Sequence, residues 1–282
     1  MCLRIRSGKC ECLGFSISAY AQDTNQVDVL SVEKEYLKSL GVTQDYLDLI
    51  PEEKIHAMYE RYFSQTRSNN DITYEWGGYE TFVKDIIDIN PDNPSTRGTI
   101  STAKLQLTIA YMNEVYGTEI RGITVEISYK WLSIPIFLDE DAITVNWDST
   151  LFNSDGFYSD MGGEFISDRY VSFKYISQPN KMGSGGLGWL VPLTDGKHPG
   201  ELPVKLYGGG AIHLFPTQTP LYTSSGRTFL LIMDYTHRYM SIGVSLGFSI
   251  NGGSVGISTT TATDNLHCEY KWKAIVASGS NN

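Results

Sequence analysis

The chain has 282 residues, of which 41% are hydrophobic and 19% are charged, a composition typical of a globular protein rather than a disordered one. The formal net charge of −10 and the pI of about 5.0 disfavour binding to the phosphate backbone of nucleic acids. No apolar run approaches the roughly 20 residues that a membrane-spanning helix needs. The sequence therefore predicts neither a nucleic-acid partner nor a transmembrane segment.

Residues 1–21 carry features of a secretory signal peptide. A basic start ends at Lys9, and residues 19–21 read Ala-Tyr-Ala, a small-x-small cleavage pattern that precedes Gln22. Glu11 interrupts the apolar centre, so the signal is degenerate. We predict a secreted or cell-surface protein whose mature chain begins at Gln22. The alternative is a cytosolic chain that keeps this segment.

Residues 22–71 are predicted to form a helical N-terminal segment. A first helix is expected from an N-cap at Ser31 to Gly41, a short helical turn at 44–49, and a second helix after Pro51. Each longer helix has an apolar face, formed by Val32, Tyr36, Leu37 and Leu40 in the first and by Ile55, Met58, Tyr59, Tyr62 and Phe63 in the second. This spacing predicts packing against the rest of the protein; a docking surface for a partner is the alternative.

Residues 72–276 are predicted to form an antiparallel β-sandwich, followed by a tail at 277–282. The clearest signal lies between 122 and 150, where apolar residues recur at every second position in two runs. The first run contains Ile123, Val125, Ile127, Tyr129 and Trp131, and the second contains Ile143, Val145 and Trp147. The polar residues between them predict a solvent-facing side on each strand. The two runs are expected to pair as a hairpin across 133–141.

Further alternating runs bring the expected total to about ten short strands. Asn251-Gly252-Gly253 lies between two such runs and predicts a tight hairpin. The region from Tyr74 to Ile89 fits either strands or a strand followed by a helix. Cys268 alternates with Tyr270 and Trp272 and is expected to face the core, so no disulfide framework is implied.

Asp139, Glu140 and Asp141 are the candidate catalytic residues. Clustered carboxylates at a strand junction can bind Ca²⁺, or can act as an acid/base pair with a carboxylate from a neighbouring loop. The candidates for that second carboxylate are Asp155, Asp160 and Glu164. A solvated acidic turn is the alternative, and the sequence favours it.

Five aromatic residues in glycine-rich or polar surroundings are the candidate binding residues: Trp76, Tyr79, Phe157, Tyr158 and Trp189. An exposed ring on a β-sandwich can stack on the apolar face of a sugar, whereas packing in the core is the alternative for each ring. They nominate a glycan or another cell-envelope component as the partner.

Several motif matches lack the structural context that their chemistry requires. Gly183–Gly188 fits the dinucleotide fingerprint but runs into Trp-Leu-Val-Pro rather than into a helix, so a loop is expected. Ser245 and Ser254 fit the nucleophile-elbow pattern, yet one lies in an alternating strand and the other at a hairpin. We read these three matches as chance.

Residues 223–226 with Asp234 and His237 supply the residue types of a catalytic triad, but nothing in the sequence fixes their geometry. No histidine lies in a spacing typical of zinc sites, and exposure to solvent is the expectation for all five. No cofactor is predicted, with Ca²⁺ at the carboxylate cluster as the alternative.

Two stretches resemble segments of uncharacterised exported proteins of Gram-positive bacteria. The first runs from Leu40-Gly-Val to Leu49-Ile-Pro-Glu-Glu, and the second runs from Tyr129-Lys-Trp-Leu through Pro135 to the acidic-Ala-Ile step at Asp141. The resemblance covers about 60 residues in and around these two stretches. The resemblance implies export, a short helical leader and a β-rich body; it carries over no activity and no site residue.

The sequence thus predicts an exported, non-catalytic binding or structural protein of the bacterial surface or the extracellular space. A carbohydrate-active enzyme that uses the carboxylate cluster is the first alternative. A secreted, membrane-active protein of the pore-forming kind is the second, because the alternating hairpin at 241–261 is rich in Gly, Ser and Thr on one face.

Overall fold

The computed structural model describes residues 28–68, 71–88, 101–117, 119–135, 138, 140–164, 172–173, 178–193, 203–217, 228–238, 246–251, 254–259 and 263–273. Within these residues the protein is mainly β, with two large antiparallel sheets and a short helical segment at the N-terminal side. This confirms the predicted fold class.

Helices precede the strands in the chain. The described helices are α1 (Val29–Ser39), α2 (Gln44–Leu49) and α3 (Glu52–Ser68). The described strands are β1 (Ile72–Asp88), β2 (Ser101–Tyr116), β3 (Glu119–Ser133), β4 (Glu140–Trp147), β5 (Phe152–Glu164), β6 (Ser172–Phe173), β7 (Lys181–Gly183), β8 (Gly186–Pro192), β9 (Lys205–Pro216), β10 (Thr228–Arg238), β11 (Leu246–Asn251), β12 (Ser254–Thr259) and β13 (Thr263–Lys273).

The strands form a sandwich. Sheet 1 has the order β1-β2-β3-β9-β5-β6, and sheet 2 has the order β13-β10-β4-β8-β7. The apolar faces of both sheets bury one shared core, in which the predicted alternation is confirmed: Ile123, Val125, Ile127 and Tyr129 of β3 meet Ile143, Val145 and Trp147 of β4. This burial is the main stabilising contribution to the fold.

The predicted hairpin between β3 and β4 is wrong. In sheet 1, β3 pairs with β2 and β9, and in sheet 2, β4 pairs with β10 and β8. The chain between Ser133 and Glu140 therefore passes from one sheet to the other, across the roughly 10 Å that separates packed sheets. Alternation identifies which face of a strand is apolar, but it does not identify the neighbouring strand.

The helical segment differs from the prediction at its start. The N-cap of α1 is Asp28, whose side chain accepts a hydrogen bond from the Leu30 amide at 3.2 Å, rather than Ser31. The buried residues of α1 are Glu33 and Leu37, whereas Val32 is 47% exposed. The predicted turn at 44–49 is confirmed as α2, and the region after Ile72 is one long strand.

The predicted solvent-facing side of β3 is covered. Thr124 and Glu126 are 3% and 0% exposed, because the three helices pack on the outer face of sheet 1. Their contact is a second core, formed by Leu37, Val42, Tyr46, Leu47, Ile50, Ile55, Met58 and Tyr62 with Tyr74, Ala110 and Met112 of the sheet. The predicted packing of the α3 stripe is thereby confirmed for Ile55, Met58 and Tyr62.

Glu126 is the polar centre of this second core. Its carboxylate contacts the Lys54 ammonium at 2.6 Å and the Arg61 guanidinium, and it accepts a hydrogen bond from the Tyr62 hydroxyl at 2.6 Å. Lys54 also donates to the carbonyl of Gly210 on β9 at 2.7 Å. Two cations of α3, one near its start and one further along, thus converge on one buried anion of β3.

The electrostatic balance at Glu126 favours its charged form. Burial alone would raise the pKa of this carboxyl, but the charges of Arg61 and Lys54 and the hydrogen bonds from Lys54 and Tyr62 lower it below the ordinary value of 4.5. A carboxyl whose folded pKa is depressed stabilises the protein above its unfolded pKa, and this contribution is lost as the pH falls through the folded pKa. The docking of α3 is therefore expected to weaken in acid.

We predict that Glu126→Ala lowers the free energy of unfolding by about 3–5 kcal/mol, because removing one partner of a buried ion pair leaves buried charge uncompensated. The matched control is Glu60→Ala, at an exposed position of α3, with an expected change within about 0.5 kcal/mol. Urea unfolding near neutral pH measures both. Equal losses for the two variants would contradict this role of Glu126.

Candidate functional site

An aromatic cluster lies where α2 meets the edge strand β1. The ring of Tyr46, buried in α2, has its centroid 4.9 Å from that of Trp76 and 5.3 Å from that of Tyr79. The rings of Trp76 and Tyr79 are 6.4 Å apart. Trp76 and Tyr79 are both partly exposed, so the cluster has a buried base and an accessible rim.

A β-bulge brings the two rim residues together. Residues three apart on a regular strand lie on opposite faces, but the pairing of β1 with β2 shifts between Trp76 and Gly78, so that the alternation is reset. Gly78 has a φ of 123°, a conformation that favours glycine. A Cβ at Gly77 would come within 1.7 Å of the Tyr111 ring. The Gly-Gly pair is therefore required for the cluster.

Polar groups belong to the same elements as the cluster. On α2, Gln44, Asp45 and Asp48 are exposed, and the Gln44 amide donates a hydrogen bond to Asp48 at 2.7 Å. On β1, Glu80 is exposed next to Tyr79. The amide of Trp76 donates to the carbonyl of Leu40 at 3.1 Å, which ties β1 to the end of α1. The two elements that carry the rings thus also carry exposed amide and carboxylate groups, the polar groups that small-molecule sites combine with aromatic rings.

The other candidate binding residues do not join this cluster. Trp189, on β8, is 0% exposed in the core between the sheets, so it presents no ring face to solvent. Phe157 and Tyr158 lie in β5, opposite Ile212 and Ala211 of β9, and their side chains fall outside the part of the chain that the structure describes. Trp76 and Tyr79 are thus the two predicted binding residues that the structure brings together.

Asp141 lies inside the protein rather than in a solvated turn. It is 0% exposed at the start of β4, and its carboxylate accepts a hydrogen bond from the Tyr235 hydroxyl at 2.7 Å and one from the Arg238 amide at 3.2 Å. The Nδ1 atom of His237 lies 2.9 Å from the same carboxylate. Trp131 donates its indole N–H to the Tyr235 hydroxyl at 3.3 Å.

This network joins the two sheets. Burial and the neighbouring carboxylate of Asp141 together raise the pKa of Tyr235 well above its ordinary value. Tyr235 therefore stays protonated and donates to Asp141 throughout the neutral range. The arrangement fixes β4, β10 and Trp131 of sheet 1 relative to one another, which is the behaviour of a structural network.

The remaining carboxylates of the predicted acid/base site are spread over two elements. Glu140 is partly buried in β4, and Asp139 lies outside the described residues. Asp155, Asp160 and Glu164 belong to β5, and their side chains also fall outside the description. Among the residues that the structure does describe, no three His, Cys, Asp or Glu side chains converge as a metal site.

The histidines differ from the expectation of uniform exposure. His237 is fully buried beside Asp141, whereas His267 is 55% exposed on β13. The Nδ1 atom of His267 lies 2.5 Å from Asp234. The hydrogen bond to Asp234 raises the pKa of His267 above 6.5; burial lowers it by less, and the nearby Glu269 also raises it. Asp234 and His237, predicted as triad residue types, therefore have separate partners.

The pairing of Asp141 with His237 is missed by sequence reasoning. The two residues are 96 positions apart, and no motif links them. The one sequence signal is indirect: Asp141 and His237 each lie near one end of an apolar strand of the core. The glycine-rich match at Gly183–Gly188 spans the β7–β8 hairpin: Gly183 ends β7 and pairs with Gly186 at the start of β8, so the expected loop is reduced to a two-residue turn between strands. Ser254 begins β12, at the predicted hairpin.

No helix in the described part of the chain has the length and apolar content needed to cross a bilayer. Cys268 is buried in the core as predicted, and burial raises the pKa of its thiol to about 12.

Comparisons with known proteins add little. No protein-family model matches the chain, and no curated protein matches its sequence. The chain is 8% identical to the Clostridium perfringens NetB toxin in the membrane inserted form, with a TM-score of 0.27 over 68% of this chain and 96% of that one. It is 8% identical to a protein designated BspA_C_WT, with a TM-score of 0.27 over 67% and 82%.

A third solved structure comes from work on pH-induced modulation of Streptococcus parasanguinis adhesion by Fap1 fimbriae. It is 9% identical, with a TM-score of 0.24 over 71% of this chain and 98% of that one. Similarity at this level carries no argument about the function of the present chain.

We predict that Asp141→Asn lowers the free energy of unfolding by about 1–3 kcal/mol, because the buried hydrogen bonds lose their charged acceptor. The control is Glu140→Gln, at the neighbouring, partly buried position, with an expected change within about 0.5 kcal/mol. Thermal or urea unfolding measures both variants. An unchanged stability for Asp141→Asn would contradict the structural role of the network.

Proposed function

We propose that the protein is an exported, non-catalytic binding protein of the bacterial surface or extracellular space, and that it binds a glycan. The observation that carries this proposal is the partly exposed pair of Trp76 and Tyr79, supported from beneath by the buried ring of Tyr46. A rigid aromatic rim on an edge strand offers a preformed contact surface. Its side chains lose little conformational entropy when a ligand binds.

A neutral sugar fits this surface chemically. The C–H face of a pyranose can stack on an indole or phenol ring, while its hydroxyls can bond to amide and carboxylate groups such as those of Gln44 and Asp45 on α2. The formal net charge of −10 opposes strongly anionic ligands. The proposed ligand class is therefore a neutral or weakly charged cell-envelope glycan.

The described geometry supports binding rather than glycoside hydrolysis. A catalytic carboxyl must reach the scissile bond of its substrate, and Asp141 is enclosed by Tyr235, His237 and the Arg238 backbone. Its burial therefore favours the non-catalytic interpretation over the carbohydrate-active enzyme.

Support for export comes from the sequence of residues 1–21, with its basic start and its Ala-Tyr-Ala pattern before Gln22. We predict that protein recovered from the culture medium of its native host begins at Gln22. Intact-mass measurement and N-terminal sequencing of medium and cell fractions check this. A full-length chain confined to the cells would contradict export and leave the glycan proposal to be judged on binding alone.

We predict that Trp76→Ala and Tyr79→Ala each weaken retention on purified Gram-positive cell-wall sacculi by about tenfold, the effect of losing an aromatic contact worth about 1.5 kcal/mol. The matched control is Tyr116→Ala at the end of β2, an aromatic residue that is 39% exposed and away from the cluster. Its retention should equal that of the unmodified protein.

Co-sedimentation with sacculi, followed by competition with soluble wall polysaccharide, measures this retention. Circular dichroism of each variant separates loss of binding from loss of fold. Absence of retention for the unmodified protein, or equal retention of all the variants, would contradict the proposed site.

A further inference from the structure

The hairpin of β11 and β12 is a separate element of the fold. Its two strands pair with each other from Leu246↔Thr259 to Asn251↔Ser254, and they form a two-stranded sheet of their own. The hairpin packs on the outer face of sheet 2, over β4 and β8. Beneath it, Thr144 and Asn146 of β4 are buried, although the sequence predicts them to face solvent.

One side-chain amide provides the described polar attachment of the hairpin. Asn146 accepts a hydrogen bond from the Val255 amide at 2.7 Å and donates one to the Val255 carbonyl at 3.1 Å. Gly186 leaves room for this contact, since a Cβ there would lie 2.0 Å from the Asn146 oxygen. We call these two hydrogen bonds the Asn146 clip. They join uncharged groups, and each contributes only about 1 kcal/mol net to stability.

The contact between the hairpin and sheet 2 is open to solvent along one side. A groove of about 280 Å³ is lined by Asn146 and Ser254 on one side and by Leu230 and Ile232 of β10 on the other. Leu230 is 38% exposed there. Solvent thus reaches the residues beside the clip, which lowers the free energy needed to open the contact.

The hairpin has an unusual sequence for this chain. Residues 239–263 contain no Asp, Glu, Lys, Arg or His, whereas 19% of the whole chain is charged. Apolar residues alternate with Gly, Ser and Asn along both arms, and the register pairs Phe248 with Ile257 and Ile250 with Val255. Residues that pair across an antiparallel ladder share a face, so one face of the hairpin is apolar.

That apolar face is directed at sheet 2, where Val255 is 1% exposed. The opposite face carries Ser249 and Ser254, both exposed. The described strands β11 and β12 have six residues each. The uncharged run 239–263 that contains them is long enough for two arms of about 9–11 residues, the length with which a tilted strand crosses the hydrocarbon core of a bilayer.

We propose that this hairpin is a membrane-inserting element, which leaves sheet 2 and turns its apolar face to the acyl chains of a lipid bilayer. Release breaks the Asn146 clip and exposes the face around Val255 and Ile257, and insertion buries that face again in lipid. The absence of ionised side chains from 239–263 removes the main cost of entering hydrocarbon.

Two physical constraints define the conditions for insertion. Backbone N–H and C=O groups at the outer edges of the hairpin need partners in lipid, so hairpins of neighbouring copies must pair. Insertion is therefore steeply dependent on protein concentration. The net charge of −10 favours zwitterionic over anionic lipid surfaces.

The test uses the full chain with dye-loaded phosphatidylcholine vesicles. Phe248→Lys places a charge on the apolar face and is expected to reduce dye release on the order of tenfold. Ser249→Lys adds the same charge at the neighbouring exposed position and is expected to leave release within about twofold of the unmodified protein. Equal effects of the two substitutions overturn the proposal.

Asn146→Leu removes the clip without touching the hairpin, and it is expected to lower the protein concentration needed for dye release several-fold. Vesicles that stay intact with both the unmodified protein and Asn146→Leu overturn the proposal. Failure of this proposal is distinguishable from failure of the glycan proposal, because the vesicles contain no glycan and retention on sacculi is measured separately.

A labelled variant keeps the test independent of any folding defect in Phe248→Lys. Ile257→Cys, prepared with the native cysteines replaced by serine and labelled with an environment-sensitive fluorophore, should shift its emission to the blue on adding vesicles. A label at Ser249→Cys should not shift. Identical spectra for Ile257→Cys with and without vesicles overturn the proposal.

Discussion

The buried carboxylate of Glu126 determines which element packs on the outer face of sheet 1. An ionised carboxylate without partners would be excluded from such a position, but Lys54 and Arg61 approach it from α3 and Tyr62 donates to it. Since the two cations come from one helix, α3 has one orientation that satisfies them. The helical segment is thereby fixed on the outer face of the sheet, and the aromatic cluster at the α2–β1 junction depends on that placement.

Sheet 2 is covered by a weaker contact. The β11–β12 hairpin contacts its outer face through Val255 and the neutral amide of Asn146. A neutral pair of hydrogen bonds contributes less than a buried charge cluster, and breaking it leaves no uncompensated charge. The helical segment thus covers sheet 1 and is held by ion pairs, whereas the β11–β12 hairpin covers sheet 2 and is held by a neutral amide. We expect these two covers to differ in their free energy of opening.

Much of the fold follows from local sequence patterns. Alternation identifies β3, β4 and β13 and the apolar faces that they bury, and Asn-Gly-Gly at 251–253 predicts the β11–β12 hairpin. The position of α2 follows from the same kind of local signal. These features depend on neighbouring residues, so they are visible without knowledge of the tertiary structure.

The remainder depends on contacts between distant residues. A strand whose polar side carries Thr124 and Glu126 reads as half-solvated, because nothing near it in sequence reveals that α3 supplies two cations. For the same reason Asp141 reads as part of an exposed turn, although His237 and Tyr235 meet it from β10. The predicted pairing of β3 with β4 is wrong because a connecting segment can either turn back to form a hairpin or cross to the other sheet, and the local sequence does not distinguish the two.

The aromatic site is predictable from the sequence only in part. Trp76 and Tyr79 can be nominated from their surroundings, but their shared face depends on the bulge at Gly77. A Gly-Gly pair inside an otherwise strand-like run is a signal for such a bulge. The buried ring of Tyr46, which completes the cluster, comes from α2, a different element, and has no signal in the sequence of β1.

The most direct measurement is native-state hydrogen exchange, which gives the free energy of opening for each element. If ion pairs fix one cover and an amide holds the other, the amides of α3 should exchange only with global unfolding. Those of β11 and β12 should exchange at a distinctly lower free energy. Exchange of α3 before the hairpin, or of both only with global unfolding, would contradict the difference between the two covers.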